Sequence, residues 1–228
     1  MCGRLDQNHT AAEYIAAMKW LGGEAILGSQ APPSYNAAPG TYRPLMRVID
    51  DKLVVDDAFW GYRAGWAVGK VPITINARIE KLGNRYWAHL LKKGRAIVPA
   101  DGWYEWTGEK GKKQPWHIHL KSHEPLFIAA LASTSPVREH ASEAGFVLVT
   151  ADAEGGMVDV HDRRPVVLTP EDAAMWLDPD LPLEQAEHLL RSLAVGPDAF
   201  EWHPVSKEVG RATSEGAHLA AQLDLPLA

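Results

Sequence analysis

The chain has 228 residues, of which 46% are hydrophobic and 23% are charged, and its formal net charge is −6. This composition is typical of a folded globular protein and argues against disorder, and the length favours one domain over residues 1–228. No apolar run approaches the roughly 18 residues that span a bilayer, and no signal-peptide core is present. One cysteine, Cys2, excludes an intrachain disulfide and a four-cysteine zinc site, so we expect a cytoplasmic protein without a membrane partner.

The first predicted helix begins at Thr10. Its hydroxyl can accept from the amide of Glu13 while the Glu13 carboxylate reaches back, which forms a capping box. Apolar residues as far as Leu21 follow at helical spacing, and Gly22-Gly23 is the predicted end.

A proline-rich stretch and a hairpin are predicted next. Residues 25–42 contain three prolines and are interpreted as an ordered loop or a series of turns. Residues 44–49 and 53–60 flank Asp50-Asp51, a pattern typical of a β-hairpin.

Strands dominate the middle of the chain and helices its flanks. Asn84 is the expected cap of a helix from Arg85 to Lys93, Thr169-Pro170 begins another helix, and a further helix fits 183–193. The predicted strands are 95–99, 102–107, 115–120, 126–132 and 145–151. We therefore expect an α+β domain with a curved, barrel-like, mainly antiparallel sheet flanked by helices.

Cys2 has a special chemical position. Methionine is commonly removed before a small residue, and Cys2 would then carry a free α-amine beside its thiol. The reference pKa of an α-amine is about 7.7–8.0, so part of it is nucleophilic at neutral pH. An aldehyde would form an imine with the amine, and the thiol would then close a thiazolidine ring. The same pair could instead attack an amide, and position alone favours an incidental cysteine.

Three further motifs carry groups suited to catalysis. Asn76 lies at the end of an apolar segment and could orient a carbonyl. Strand alternation places Glu105 on the face of Trp103, where desolvation would raise its pKa and suit it to proton transfer. His161 is a candidate proton donor or phosphate contact. Each also has an ordinary structural interpretation.

Two histidines share one face of a predicted strand, His117 and His119. No cysteine or carboxylate pattern accompanies them in the sequence, so we interpret them as structural and predict no metal site.

Several segments together resemble the SRAP family, the SOS-response-associated peptidase domain, over nearly the whole chain. The matching segments are MCGR at 1–4, YNAAPG at 35–40, FWGY to GW at 59–66, INAR at 75–78, ADGWYEW at 100–106, KKQPWHI at 112–118, VTADA at 149–153, VDVHDRRPVVL at 158–168 and WHPVS at 202–206. Each segment is weak alone, but their order and number make the resemblance specific. Ala64 and Ala67 depart from the proline and aromatic residue often found there.

The resemblance implies covalent capture of abasic sites in single-stranded DNA, or at its junctions with duplex DNA. Cys2 would form a thiazolidine with C1′ of the sugar, Asn76 would orient the amine or sugar, Glu105 would act as acid and base, and His161 would protonate the sugar oxygen. Implied DNA contacts are Arg4, Pro39, Trp66, Arg78, Trp106, Thr150 and Arg163. No cofactor is implied, a monomer is expected, and the protein would also remove Met1 and show lyase-type imine chemistry.

Two other functions remain open from the sequence. Amidotransferase-like hydrolases also begin with Met-Cys-Gly, although Arg4 and the downstream motifs fit them poorly. A noncatalytic single-strand binder with an idle Cys2 would bind abasic and intact DNA alike.

Overall fold

The computed structural model describes residues 2–133 and 140–224, which form an α+β fold. The helices are α1 (Ala11–Met18), α2 (Ala88–Lys93), α3 (Pro170–Leu177) and α4 (Leu183–Ser192). The strands are β1 (Leu5–Gln7), β2 (Ala25–Leu27), β3 (Ser34–Ala37), β4 (Tyr42–Ile49), β5 (Lys52–Phe59), β6 (Asn76–Arg78), β7 (Arg95–Ala100), β8 (Gly102–Thr107), β9 (Gln114–Leu120), β10 (Leu126–Ala132), β11 (Phe146–Asp152), β12 (Arg163–Pro165), β13 (Val167–Leu168) and β14 (Phe200–Pro204). None of the helices within these ranges is long and apolar enough to cross a membrane.

The strands form two sheets, which confirms the mainly antiparallel α+β class. The smaller sheet has the order β14-β9-β8-β1-β3. The larger has the order β12-β11-β10-β7-β4-β5-β2, with β13 and β6 attached to β10 and β11. Over the described ranges each sheet runs between two edge strands, so the expected barrel-like curvature does not become a closed barrel.

Strand β10 shows how the larger sheet divides the core. Phe127, Ala129 and Leu131 belong to the apolar cluster that includes side chains of α1, α3 and α4. Ile128 and Ala130 alternate with them and belong to a second cluster, which includes side chains of both sheets. Because successive side chains of a strand point to opposite faces, β10 has no solvent face and is apolar throughout. Cys2 lies in the cluster between the sheets.

The capping box of α1 is confirmed, but the predicted end of the helix is wrong. Thr10 accepts from Glu13 N, and the Glu13 carboxylate accepts from Thr10 N at 2.7 Å. The helix ends at Met18 because Lys19 adopts a left-handed conformation, with φ of 51°, and its N–H donates to Ala16 O. Leu21 therefore lies beyond the helix and is 96% exposed.

The helix predicted from Arg85 starts three residues late, at Ala88. Asn84 Oδ1 accepts from the backbone N–H groups of Tyr86 and Trp87, at 2.9 and 3.1 Å. These are the bonds of an N-cap, and Asn84 O also accepts from Ala88 N at 2.9 Å, so the predicted cap is confirmed although the regular helix begins at Ala88. Gly94 is the C-cap.

The hairpin is confirmed, whereas residues 25–42 contain two strands that the loop prediction missed. Ile49 pairs with Lys52 across Asp50-Asp51, whose φ values of 48° and 59° are those of a tight two-residue turn. β2 pairs in parallel with β5 and is exposed along its length, so it has no buried face to reveal it in the sequence.

Candidate active site

Pairing of β1 with β8 brings the N-terminus to the candidate acid. Leu5 lies opposite Trp103, and Tyr104 N donates to Arg4 O at 3.0 Å. Because the strands are antiparallel, each step from Leu5 towards the N-terminus is a step from Trp103 towards Glu105. Continued past β1, the register puts Gly3 opposite Glu105, and the next residue, Cys2, is close enough for the Glu105 charge to act on its thiol.

The thiol of Cys2 is completely buried between the sheets. Burial raises its pKa well above the ordinary value, and the negative charge of Glu105 raises it further. The thiol is therefore held protonated at neutral pH, and it needs a base before it can attack.

Asn76 holds the backbone at Cys2. It is the first residue of β6, whose parallel pairing with β11 places it opposite Leu148. Its Nδ2 donates to Cys2 O at 2.9 Å. Its Oδ1 is buried and has no hydrogen-bond partner among the described residues. An acceptor is thus available in the site for an amine or a sugar hydroxyl.

Glu105 is a buried carboxyl poised near neutrality. It is 3% exposed, and burial raises its pKa to about 7. The neighbouring Asp162 also raises the pKa, while Lys113 lowers it. Near pH 7 both protonation states are populated, so Glu105 can act as acid and as base.

His161 faces Glu105 across the site. Its Nε2 lies 3.9 Å from Glu105 Oε2, and its Nδ1 accepts from Arg163 N at 2.9 Å. Asp162 Oδ1 also lies 2.8 Å from Nδ1, but its side chain is 83% exposed and its charge is well solvated. Burial lowers the pKa of His161, so the ring is neutral near pH 7. The Arg163 N–H directed at Nδ1 favours the tautomer with its proton on Nε2. Nε2 is the ring nitrogen on the side of the Glu105 carboxyl group.

The residues predicted to contact DNA fall into two groups. Arg78 is exposed, Trp66 is 65% exposed, and Pro39 is partly exposed, so all three are accessible to a ligand. Arg4 has a structural role in addition, because its Nη1 donates to Asn36 Oδ1 at 2.7 Å and to Val209 O at 2.8 Å.

The second group is committed to internal contacts. Arg163 is 7% exposed and binds Glu80, Asp152 and the carbonyl of Thr150, so its guanidinium is occupied within the protein. Thr150 is 1% exposed. Trp106 packs on the apolar cluster outside the smaller sheet. The surroundings of these three residues indicate a structural role, and a DNA contact by any of them stays a prediction.

Lys113 is a further candidate that the sequence motifs did not identify. It is exposed on the loop before β9, and its charge acts on both Glu105 and His161. Its position in the KKQPWHI segment was the sequence signal for a role in the site. A lysine at that position is equally expected in a solvent-exposed turn.

Known proteins are similar to this chain in sequence and in structure. The family model of the SOS response associated peptidase (SRAP) matches residues 1–212. The abasic site processing protein YedK of Escherichia coli is 41% identical over 221 residues, which cover 96% of this chain and 98% of YedK. The abasic site processing protein HMCES of Xenopus tropicalis is 24% identical, covering 99% of this chain and 79% of that protein.

Two crystal structures share the fold. A phage-related protein from Bordetella bronchiseptica is 39% identical with a TM-score of 0.76, covering 91% of this chain and 95% of that one. A protein from Bacteroides thetaiotaomicron has the same TM-score at 20% identity, covering 97% of this chain and all of that one, which shows the fold alone. With a family model that matches nearly the whole chain and a relative at 41% identity, this protein belongs to the SOS response associated peptidase (SRAP) family.

Proposed function

We propose that this protein processes abasic sites, and that it captures them in single-stranded DNA as a thiazolidine on Cys2 after Met1 has been removed. One observation carries the proposal: Cys2, Asn76, Glu105 and His161, from four separate parts of the chain, meet at one buried site. The relatives named as abasic site processing proteins support the lesion as substrate.

The first step joins the Cys2 amine to the ring-opened sugar. The amine attacks C1′ of the aldehyde and forms a carbinolamine, which loses water to give the imine. Protonated Glu105 supplies the proton for the departing hydroxyl. This order fits the raised pKa of the thiol, since the amine is the stronger nucleophile while the thiol keeps its proton.

The second step closes the ring. Glu105, now a carboxylate, takes the proton of the Cys2 thiol, and sulfur adds to the imine carbon. The imine of the first step is the protonated form, so the ring nitrogen keeps that proton as its N–H and Glu105 keeps the thiol proton. Aldehyde, amine and thiol thus give thiazolidine and one water, and Glu105 returns to its starting state.

Asn76 and His161 position the reacting groups. The bond from Asn76 Nδ2 fixes the Cys2 carbonyl, and its free Oδ1 can accept from the amine. The Nε2 proton of His161 can be donated to the sugar oxygen when the deoxyribose ring opens.

Single-stranded DNA is the form that the accessible residues favour. Trp66 is a large exposed aromatic that can stack on an unpaired base, and Arg78 and Lys113 can neutralise phosphates. The proposal includes removal of Met1 by the protein itself and lyase-type cleavage through the imine. Removal is needed because an amine in a peptide bond cannot form an imine.

Intact mass spectrometry tests the proposal. The purified protein is mixed with an oligonucleotide carrying one abasic site, and with a matched intact oligonucleotide as control. We expect loss of Met1 and a one-to-one adduct, less one water, with the abasic strand alone. Cys2→Ala and Cys2→Ser should form no adduct that survives without reduction, whereas both keep the amine and should form an imine that borohydride traps. An equal adduct from Cys2→Ala would overturn the mechanism.

A further inference from the structure

A cluster of three histidines lies on the smaller sheet. His117 and His119 are two residues apart on β9 and share a face, and His203 on β14 lies directly opposite His117. The ring centroids are 5.2 Å apart for His117 and His119, and each of these rings is 5.4 Å from His203. The three rings therefore form a nearly equilateral triangle.

We propose that His117, His119 and His203 bind a divalent transition-metal ion of the Zn²⁺ type, with water as the fourth ligand. One ligand nitrogen from each residue lies within 4.8 Å of the others. With Zn–N distances of about 2.0–2.1 Å, three imidazoles around one tetrahedral zinc place their ring centroids about 5 Å apart. Small side-chain rotations bring the observed triangle to that geometry.

Hydrogen bonds to backbone carbonyls prepare two of the rings for metal binding. His119 Nδ1 lies 2.9 Å from Leu120 O, and His203 Nε2 lies 2.8 Å from Ala220 O. A carbonyl can only accept, so each of these nitrogens carries the proton. The lone pairs are therefore on His119 Nε2 and His203 Nδ1, and such carbonyl contacts are typical of metal-bound histidines.

A buried carboxylate lies beside the third ring. His117 is 6% exposed, and its Nε2 lies 3.2 Å from Oδ2 of Asp6, which is 1% exposed. Neither ring nitrogen of His117 has a hydrogen-bond partner among the described residues. The charge of the nearby Asp6 favours the proton on Nε2, which leaves the lone pair of Nδ1 for the metal. A carboxylate, a histidine and a metal ion in series is a common arrangement at zinc sites.

The surrounding backbone leaves room for this arrangement. The three histidines and Asp6 line one cavity of about 350 Å³. A Cβ atom on Gly102 would lie 2.4 Å from His117 Nε2, so only glycine there allows the ring to approach Asp6. Imidazole ligands favour zinc, copper and nickel over magnesium or calcium.

Bound Zn²⁺ per chain is the quantity to measure. Because the amine and thiol of Cys2 could also bind zinc, the measurements use Cys2→Ala protein stripped with chelator and dialysed against ZnCl₂. We expect one zinc per chain by elemental analysis, and visible absorption of tetrahedral cobalt when CoCl₂ replaces zinc. His203→Ala and His119→Ala should each lose both signals. His188→Ala, which removes an exposed histidine of α4, should keep them.

Asp6→Asn tests the supporting carboxylate. It should weaken zinc affinity about 10–100-fold, which calorimetry would detect. Circular dichroism checks that each variant folds, and His203→Gln serves if His203→Ala does not. Failure to bind zinc or cobalt at millimolar concentration would overturn the proposal, as would binding that survives both His119→Ala and a folded His203 variant.

Discussion

At the scale of single residues, the hydrogen bond from Asn76 to the Cys2 carbonyl holds Cys2 in position to react. Asn76→Asp keeps the shape but replaces the Nδ2 donor with an oxygen that repels Cys2 O across 2.9 Å. We expect crosslinking to slow by roughly 10–100-fold, since a misplaced reacting group can cost about 100-fold. Single-turnover gel assays with an abasic oligonucleotide would measure this rate. Asn84→Asp, a change of the same chemistry away from Cys2, should leave the rate unchanged.

Glu105 makes stability depend on pH in an identifiable window. Its pKa is about 7 in the folded protein against 4.5 as the ordinary value, so between these values the folded state binds more protons than the unfolded state. Stability from this group is therefore present below about pH 4.5 and is lost as pH rises to about 7. Glu105→Gln removes this dependence. Its free energy of unfolding should match the parent near pH 4.5 and exceed it by roughly 1–3 kcal/mol at pH 8.

Denaturant unfolding of both proteins at several pH values would measure the difference. A constant difference between pH 4.5 and pH 8 would show that Glu105 titrates normally. The same variant should slow crosslinking about 100-fold or more, because a neutral amide cannot take the thiol proton. Greater stability together with lower activity in Glu105→Gln would show that burial of Glu105 costs stability and is needed for the reaction.

At the scale of elements, the turn of the β4–β5 hairpin holds two aspartates in a strained backbone conformation. Asp50 and Asp51 both have positive φ, a conformation that Asn-Gly adopts more readily. Asp50→Asn with Asp51→Gly should therefore raise the free energy of unfolding by roughly 0.5–1 kcal/mol. Thermal unfolding should show a higher Tm with unchanged crosslinking, because this turn lies away from Cys2. A lower Tm would mean that the aspartate side chains make contacts that outweigh the backbone strain.

Elements with a strong local signal were predictable, and those that depend on distant partners were not. The capping residues Thr10 and Thr169 and the Asp50-Asp51 turn are encoded within a few residues. β6 has three residues and exists only by parallel pairing with β11. The candidate site divides in the same way. Burial of Glu105 follows from strand alternation, but His203 joins His117 only through the pairing of β14 with β9.

At the scale of the whole molecule, a net charge of −6 opposes DNA, so binding depends on a few local cations. Some cationic side chains are exposed to solvent, and others are paired with carboxylates of the protein. Arg78 and Lys113 are exposed near the site residues, whereas Arg163 is neutralised by Glu80 and Asp152. The backbone N–H of Arg163 donates a hydrogen bond to His161, and its side chain is fixed by ion pairs. Arg163 is therefore a positioning residue for the loop that carries His161.

The salt dependence of DNA binding distinguishes the two kinds of arginine. In Cys2→Ala protein, where binding is noncovalent, each lost phosphate contact makes the slope of log K against log salt less negative by about 0.7 for single strands. Arg78→Ala should show this change. Arg163→Ala should keep the parent slope while lowering Tm, since it leaves Glu80 and Asp152 without their partner.

Lys19→Gln serves as the control, because it removes an exposed charge at the end of α1, on the helical side of the larger sheet. Its slope should equal that of the parent. Fluorescence anisotropy of a labelled single strand over a salt series would measure all three slopes. If Arg163→Ala were folded and reduced the slope as Arg78→Ala does, its ion pairs would have to open on binding, and Arg163 would be a DNA contact after all.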